Sequence, residues 1–223
     1  MYDFFTISEN ACQVPFADLC KRKEEYRTYF IHKTYEPSQC IHSRGNRISS
    51  FGIVESGVLK AVSHTVNGAE HCHTYFETRD LFPEYLYFTG KREYAYTLVA
   101  EKKSEVIWIP IHVMEEMLEK DQQLMYALLL YVCQRGLKDQ LYLNCLNYQT
   151  IRRRIAYWIV GMHNMNPTET IDMPCSQLVL ANMLHVSRSS LNQELKLMQK
   201  DGYFKVKSHE IIDLDEERLN ALI

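Results

Sequence analysis

The sequence Ser176–Met198, SQLVLANMLHVSRSSLNQELKLM, has the pattern of two amphipathic helices separated by a short break. In both segments apolar residues recur at the three- and four-residue spacing of one helix face. They are Leu180, Ala181 and Leu184 before the break, and Leu191, Leu195 and Met198 after it. At the break, His185-Val186-Ser187, Val186 supplies an apolar plug and Ser187 is placed to cap the second helix. The pattern predicts a helix-turn-helix.

The predicted second helix has a polar outer face. Its side chains are long or small, and they are able to hydrogen-bond to base edges and phosphates in a major groove. With the serine that opens the stretch, the candidate DNA-binding residues are Ser176, Ser187, Arg188, Ser189, Ser190, Asn192, Gln193 and Lys196. An αα-hairpin with a solvated outer face fits the same residues, so this stretch alone leaves both interpretations open.

A β-hairpin is predicted directly after the second helix. Gly202 ends the helix, and Tyr203–Val206 and Ile211–Leu214 have the pattern of two strands around a polar turn. Lys205 and Lys207 lie beside the tip of this hairpin. A basic hairpin after a recognition helix is typical of a winged helix, so both lysines join the candidate DNA-binding residues and the DNA interpretation is favoured.

The N-terminal half has the spacing of an antiparallel β-structure. From about Ile31 to Pro110, short runs of Tyr, Phe, Val and Ile are broken by glycine and polar turns. The predicted strands are Phe51–Glu55, Val58–Val62, Glu70–Phe76, Ala95–Ala100 and Glu105–Ile109, with turns at Glu55–Gly57 and Val66–Ala69. We therefore expect an α+β chain whose sensor domain, residues 1–110, is an antiparallel β-sandwich or β-barrel.

A long helix is predicted between the two parts. After a short helix at His112–Glu119, the segment from Gln122 to about Asn147 contains no proline and spans roughly 40 Å as a helix. It either packs within its own chain or pairs with the same helix of a second subunit along a coiled-coil-like seam. For the second case the predicted interface residues are Leu124, Leu128, Tyr131, Leu137 and Leu141.

These patterns divide the chain into three parts. Residues 111–148 form the dimerisation helix and its linker, and residues 149–223 form the winged helix-turn-helix domain. That domain begins with a helix at Thr150–His163, which the loop Asn164–Pro167 ends, and a short strand at Ile171–Met173 leads into the helix-turn-helix.

Composition and charge set the broad class. The 223 residues are 46% hydrophobic and 24% charged, and no apolar run approaches the ~20 residues that span a bilayer. The seven scattered cysteines indicate reduced thiols and a cytoplasmic protein. The net charge is −3, but residues 152–209 contain eight basic and four acidic residues, which favours nucleic acid as a partner of that domain.

Three strings and the order of the parts resemble the Crp/Fnr family of bacterial transcription regulators. The strings are Ile53–Lys60 (IVESGVLK), Arg79–Glu84 (RDLFPE) and Val186–Leu191 (VSRSSL), and the resemblance extends from about Ile31 to Leu214. It implies a sensor domain of the cyclic-nucleotide-binding type, which is a double-stranded β-helix. It also implies a homodimer on a palindromic DNA site, RNA polymerase as a further partner, and no enzymatic activity.

The region that would bind a cyclic nucleotide departs from the family pattern. Glu84 keeps the acidic position, but Pro83 replaces a glycine, and Tyr94-Ala95 stands where the family has Arg-Ser. A cyclic phosphate would lose its bidentate guanidinium partner, so a response to cyclic AMP is not expected. A different, unidentified effector is expected in a pocket that includes Tyr75, Glu84, Tyr85, Tyr94 and Ala95, unless these aromatic side chains fill a closed core. Lys91 or Arg92 would supply a cation to another anion, unless both lie in a solvated loop.

The recognition helix departs as well. Arg188 suits guanine or a phosphate, and Gln193 suits adenine, so the preferred site should differ from that of the cyclic-AMP receptor. Glu194 occupies a position that is usually apolar in the family. Either that edge of the helix is less buried, or Glu194 meets a cation.

Two functional alternatives stay open, a regulator that does respond to cyclic nucleotides and a cupin-like metal-dependent enzyme with a fused helical domain. The enzyme would need His71 and His73 with Glu77 or Glu84 as metal ligands. The cysteines, Cys12, Cys20 and Cys40 among them, lack the tight spacing of an iron–sulfur site. Cys72 and Cys175 are either redox-active thiols or inert. We predict no catalytic residue, no metal and no cofactor.

Overall fold

The computed structural model describes residues 14–64, 67, 70–165, 170–174 and 176–223. Cys12, Cys175, the predicted turn at Val66–Ala69 apart from Asn67, and the Asn166-Pro167 end of a predicted loop lie outside the described residues. The chain divides into two compact units between Cys133 and Gln134. This boundary falls within the segment that the sequence assigned to the dimerisation helix and linker, so each half of the long helix is described with its own unit.

The N-terminal unit is a β-sandwich with helices. Helix α1 (Phe16–Lys21) and a 3-10 helix (Glu24–Tyr29) come first, and helix α2 (Glu84–Phe88) lies between the sixth and seventh strands. The strands are β1 (Ile31–Tyr35), β2 (Cys40–His42), β3 (Ser50–Ser56), β4 (Leu59–His64), β5 (Glu70–Phe76), β6 (Leu81–Phe82), β7 (Thr97–Ala100) and β8 (Ser104–Pro110).

The strands form two antiparallel sheets with the orders β1-β8-β3-β6 and β2-β7-β4-β5. Of the two architectures that the spacing allowed, the sandwich is the one observed, because the described strands do not close into a barrel and leave β1 and β2 as open edges. The sequence missed β1, β2 and β6. The first four residues of β1 are all exposed, and β2 and β6 have only three and two residues, so none of them shows a buried alternation.

Two apolar clusters hold the N-terminal unit together. Side chains from both sheets, such as Val54, Phe76 and Trp108, meet in the cluster between them. Phe51, Ile53 and their neighbours form the second cluster, where helices cover the outer face of the β1-β8-β3-β6 sheet. The ring of Phe82 lies so close to Gly52 that a Cβ atom there would be 2.2 Å from it, so this crossing requires a glycine.

Helices α3 (Ile111–Lys120) and α4 (Gln122–Cys145) follow the last strand. The first half of α4 buries Leu124, Ala127 and Leu128 in the second cluster of the N-terminal unit. Its remaining apolar side chains include Met125, Leu129 and Val132, which are 46%, 58% and 41% exposed. No helix in the described part of the chain is both long enough and apolar enough to cross a membrane.

The C-terminal unit is a winged helix. Its elements are α5 (Ile151–Met165), β9 (Ile171–Asp172), α6 (Gln177–Met183), α7 (Arg188–Lys200), β10 (Lys205–Lys207), β11 (Glu210–Ile212) and α8 (Glu216–Asn220). The three strands form one antiparallel sheet in the order β10-β11-β9. Leu141 and Cys145, from the second half of α4, are buried in the core of this unit with Trp158 and Leu191. The predicted helix-turn-helix and wing are confirmed, with shorter wing strands than expected.

Candidate DNA-binding surface

The turn of the helix-turn-helix is closed by backbone hydrogen bonds. His185 adopts a left-handed conformation with φ of 52°, and the Val186 amide donates to the Ala181 carbonyl at 2.9 Å. Ser187 then begins α7 as its N-cap, and its Oγ accepts a hydrogen bond from the Ser190 amide at 3.0 Å. The capping role predicted for Ser187 is therefore confirmed. These local hydrogen bonds fix the residue at which the first turn of α7 begins.

Several of the candidate serines have local structural roles. Ser187 Oγ donates to Ser190 Oγ at 2.8 Å and lies 2.9 Å from Ser189 Oγ. Ser176 caps α6, because its Oγ accepts from the Val179 amide at 3.2 Å. These hydroxyls hold helix starts in place, and only their remaining hydrogen-bonding capacity is available to a ligand.

Helix α7 buries one face and presents the other to solvent. Leu191, Leu195 and Met198 are buried in the core of the C-terminal unit. On the outer face Arg188, Ser189, Gln193 and Lys196 are exposed, while Ser190 and Asn192 are half-buried. Asn192 Oδ1 is itself buried, and it has no hydrogen-bond partner among the described residues. The exposed face of α7 thus carries the positive charges of Arg188 and Lys196 and the side-chain amide of Gln193.

Glu194 meets a cation, as one of the two sequence hypotheses proposed. Arg152 Nε on α5 donates to Glu194 Oε1 at 2.6 Å, and Arg152 Nη2 lies 3.0 Å from Asp201 Oδ2 at the end of α7. The guanidinium also lies over the ring of Tyr203, 5.8 Å from its centroid. One arginine of α5 therefore holds both the middle and the end of α7.

A second arginine supports the turn. Arg154 Nε donates to the Tyr148 carbonyl and Arg154 Nη1 to the Leu184 carbonyl, both at 2.8 Å. Leu184 is the C-cap of α6, so a positive charge meets the carbonyl end of that helix. Two of the eight basic residues that the sequence assigned to this domain are thus structural, and the outward positive charge is smaller than the count suggested.

The wing places its two lysines in solvent. Lys205 pairs with Ile212 and Lys207 with Glu210 across the hairpin, whose two-residue turn contains Ser208 in a left-handed conformation. Lys205 Nζ lies 2.9 Å from Asp213 Oδ2, an exposed pair that salt screens. The Val206 amide donates to Gln199 Oε1 at 3.1 Å, which ties the wing to the last turn of α7.

The region predicted to hold an effector is packed with aromatic side chains. Tyr75, Glu84 and Tyr94 are buried, as a pocket or a core requires. Ala95 is exposed and Tyr85 is 45% exposed, so neither side chain is buried as the other three are. On this stretch Tyr94 and Tyr96 turn inward and Ala95 therefore turns outward.

Tyr94 occupies the interior where the family resemblance places an arginine. Its ring stacks on His42 with centroids 4.6 Å apart and meets Tyr96 edge-on at 5.8 Å. Phe76, Phe82 and Trp108 continue this cluster at centroid distances of 5.1 and 5.4 Å. Burial raises the pKa of Tyr94. Arg92 lies over the ring of Tyr87, 4.8 Å from its centroid.

Three of the five predicted dimer residues on α4 are buried within their own units. Leu124, Leu128 and Leu141 are buried, and Leu137 is half-buried. Tyr131 accepts a hydrogen bond from the Leu81 amide at 2.9 Å and donates to the Leu81 carbonyl at 3.1 Å. Leu124, Leu128 and Leu141 are therefore a wrong choice of interface residues, because the same apolar character that suggested a seam attaches them to the core.

The metal and thiol hypotheses gain no support from the geometry. His71 and His73 are exposed neighbours with ring centroids 5.1 Å apart, and His73 Nε2 lies 2.8 Å from Ser63 Oγ. Across the described residues, no group of three or more His, Cys, Asp or Glu side chains is arranged to hold a metal ion. Burial raises the pKa of the Cys72 thiol, which lowers its reactivity.

Comparison with known proteins agrees with this architecture. The family model described as a cyclic nucleotide-binding domain matches residues 32–121, and the Crp-like helix-turn-helix domain matches residues 153–222. No curated protein matches the chain in sequence.

Solved structures match over most of the chain. FixK2 from Bradyrhizobium japonicum is 14% identical with a TM-score of 0.64, covering 86% of this chain and 96% of its own. A CooA mutant from Carboxydothermus hydrogenoformans is 13% identical with a TM-score of 0.63, covering 95% and 96%. The c-di-GMP responsive regulator CLP of Xanthomonas campestris is 16% identical with a TM-score of 0.57, covering 86% and 97%. These likenesses show the fold, and the two domain models together match well over half of the chain. The chain therefore belongs to the Crp/Fnr family of transcription regulators.

Proposed function

We propose that this protein is a homodimeric transcription regulator that recognises a palindromic DNA site through α7 and does not respond to cyclic AMP. The observation that carries the proposal is the exposed polar face of α7, on a helix that is capped at one end and held by Arg152 along its length. Such a helix presents side chains to a major groove at low entropic cost, because its position is already set. The proposal assigns no catalytic residue, and it includes contact with RNA polymerase in the cytoplasm, as the family resemblance implies.

Arg188 and Gln193 are the base-recognising residues in this proposal. Arg188 offers a bidentate donor pair to guanine, and Gln193 offers a donor and an acceptor to adenine. Lys196 on α7 and Lys207 on the wing are exposed and are suited to phosphates. Lys205 joins them when its exposed pair with Asp213 opens.

We propose that the dimer forms through the outward face of α4. Met125, Leu129 and Val132 recur at four- and three-residue spacing, which is the spacing of a coiled-coil seam, and all three side chains are exposed. Exposed apolar side chains in a row mark an interaction surface in soluble proteins. This stripe replaces Leu124, Leu128 and Leu141, whose apolar side chains are already buried.

Val132 offers a direct test of the seam. In a parallel pair of α4 helices Leu129 and Val132 face their own copies, whereas Cys133 is an exposed thiol on the flank beside Val132. A Val132→Cys variant in a Cys133→Ala background should therefore form a covalent dimer on mild oxidation. The Cys133→Ala variant alone should sediment as a dimer without this crosslink. Sedimentation of the parent protein as a monomer at micromolar concentration would refute the dimer.

The DNA proposal is tested by selecting bound fragments from a random-sequence pool and then measuring affinity for the selected site. Arg188→Ala should weaken that site by about 10-fold or more, because one good bidentate contact contributes ~1–3 kcal/mol of discrimination. Arg153→Ala removes the same charge from an exposed position of α5 and serves as the matched control. Equal losses in the two variants would show that only bulk charge matters, and no selected palindrome would refute sequence-specific binding.

A further inference from the structure

The two sheets of the N-terminal unit separate at one side of the sandwich. There β1 and β2 are edge strands of different sheets, and a cavity of about 510 Å³ opens between them. A volume of this order is typical of small-molecule sites. The residues that line this edge cleft are Ile31, Lys33, Thr34, Tyr35, Gln39, Cys40, Ile41, His42, Ser49, Ser50 and Trp108.

The walls of the edge cleft are polar and positively charged. Successive side chains of a strand alternate between its faces, so Lys33 shares the inward face of β1 with Tyr35, and on β2 the inward His42 ring stacks on Tyr94. None of the described lining residues is a carboxylate. Glu36, the nearest carboxylate in the sequence, pairs with Lys103 at 3.8 Å. The charge of Lys33 therefore faces a space bordered by hydroxyl, amide, imidazole and thiol groups.

The base of the edge cleft is aromatic, since Trp108 and His42 are among its lining residues. Trp108 Nε1 donates to the Tyr35 hydroxyl at 2.9 Å, so the indole N–H has its acceptor within the protein. The His42 ring stands edge-on to Trp108 at 5.1 Å. Burial and the charge of Lys33 lower the pKa of His42, so the imidazole is neutral near pH 7 and the cation of the cleft is Lys33. A planar apolar group fits this base.

We infer that the edge cleft is a binding site for a small organic anion, whose planar body packs on Trp108 and whose acidic group meets Lys33. The site lies at the open strand edges, where His42 and Trp108 form the border between the edge cleft and the packed rings around Tyr94. A charge-assisted contact to Lys33 supplies the selectivity, because a neutral molecule of the same shape leaves the ammonium without an ionic partner. The inference does not depend on DNA recognition.

The test uses two fluorescent probes with the same aromatic body. 8-Anilinonaphthalene-1-sulfonate carries a sulfonate, and N-phenyl-1-naphthylamine does not. Each is titrated into the full-length parent protein, the Lys33→Met variant and the Lys91→Met variant. Lys91 is an exposed lysine on the loop after α2, so it is a matched control, and it also tests an anion site beside that loop.

Alkylation of Cys40 locates the bound probe. Cys40 lines the edge cleft, whereas Cys133 is an exposed thiol on α4, so the two rates measured by mass spectrometry compare the cleft with a reference position in one sample. A molecule seated in the cleft should slow alkylation of Cys40 and leave Cys133 unchanged.

We expect the sulfonate probe to bind the parent, to bind Lys33→Met about 5-fold more weakly, and to protect Cys40. The Lys91→Met variant should behave like the parent, and the neutral probe should not distinguish the three proteins. Lys33→Arg, which keeps the charge, should retain most of the affinity. Absent binding, unchanged affinity in Lys33→Met, or unprotected Cys40 would overturn the inference. A loss confined to Lys91→Met would place the anion beside α2 instead.

Discussion

Replacing Arg152 by methionine tests whether the position of the recognition helix depends on one ion-pair cluster. The change removes the hydrogen bond to Glu194 at 2.6 Å and the contact to Asp201 at 3.0 Å. The Glu194 side chain is only 21% exposed, so its carboxylate would remain partly desolvated without a cation. Two charge-assisted contacts on side chains of this exposure contribute about 2 kcal/mol together, after allowance for solvent screening. We expect the C-terminal unit to lose that much stability.

The assay is urea unfolding of the full chain, followed by the fluorescence of Trp158. This tryptophan is fully buried in the C-terminal unit, and a Trp108→Phe background removes the signal of the other unit. The matched variant is Glu194→Leu, which leaves Arg152 paired with Asp201 and should lower the unfolding free energy by less than Arg152→Met does. In the double variant an apolar pair replaces the ion pair. Its loss of unfolding free energy should therefore be about 1 kcal/mol smaller than the sum of the losses in the two single variants.

Two results would refute this reasoning. Stability of Arg152→Met within ~0.3 kcal/mol of the parent would show that solvent replaces the cluster at no cost. Strictly additive losses in the double variant would show that Arg152 and Glu194 act independently, whatever their distance.

Three further predictions concern the dimer, the sensor unit and acid stability. Leu129→Glu should give folded monomers in sedimentation, and a dimeric Leu129→Glu would exclude the seam. Leu128→Glu should instead unfold the N-terminal unit, because burying an unpaired carboxylate costs about 3 kcal/mol or more. Calorimetry with cyclic AMP should show no binding at micromolar concentration, and measurable heat would contradict the role given to Tyr94. Asp121 accepts hydrogen bonds from the Gln123 and Leu124 amides at 2.8 and 3.1 Å, and its hydrogen bond with Lys23 lowers its pKa from the ordinary value of an aspartate. Because the pKa of Asp121 is lower in the folded state, its carboxylate stabilises the fold fully above its unfolded-state pKa, and this stabilisation is lost as the pH falls through its folded-state pKa. In Lys23→Met the urea midpoint should therefore fall less over this acidic range, and an unchanged profile would contradict the assignment.

Local patterns were sufficient wherever the interactions are short in sequence. The break at His185–Ser187 and the cap by Ser187 are formed within a few residues, so the helix-turn-helix could be predicted from the chain alone. The wing followed for the same reason, since its two strands are joined by a tight turn. The weak strands β1 and β2 could not be predicted, because their partners β8 and β7 lie far along the chain.

The order of the parts, the recognition helix with its cap, and the departure of Tyr94-Ala95 from the family pattern could all be predicted from the amino-acid sequence. The folded chain was needed to show which apolar face of α4 is covered, that Glu194 meets Arg152 across 42 residues, and that an edge cleft opens between β1 and β2. This division arises because periodicity indicates which residues share a face of a helix or strand. What covers that face depends on burial and charge pairing between segments that are distant in the chain.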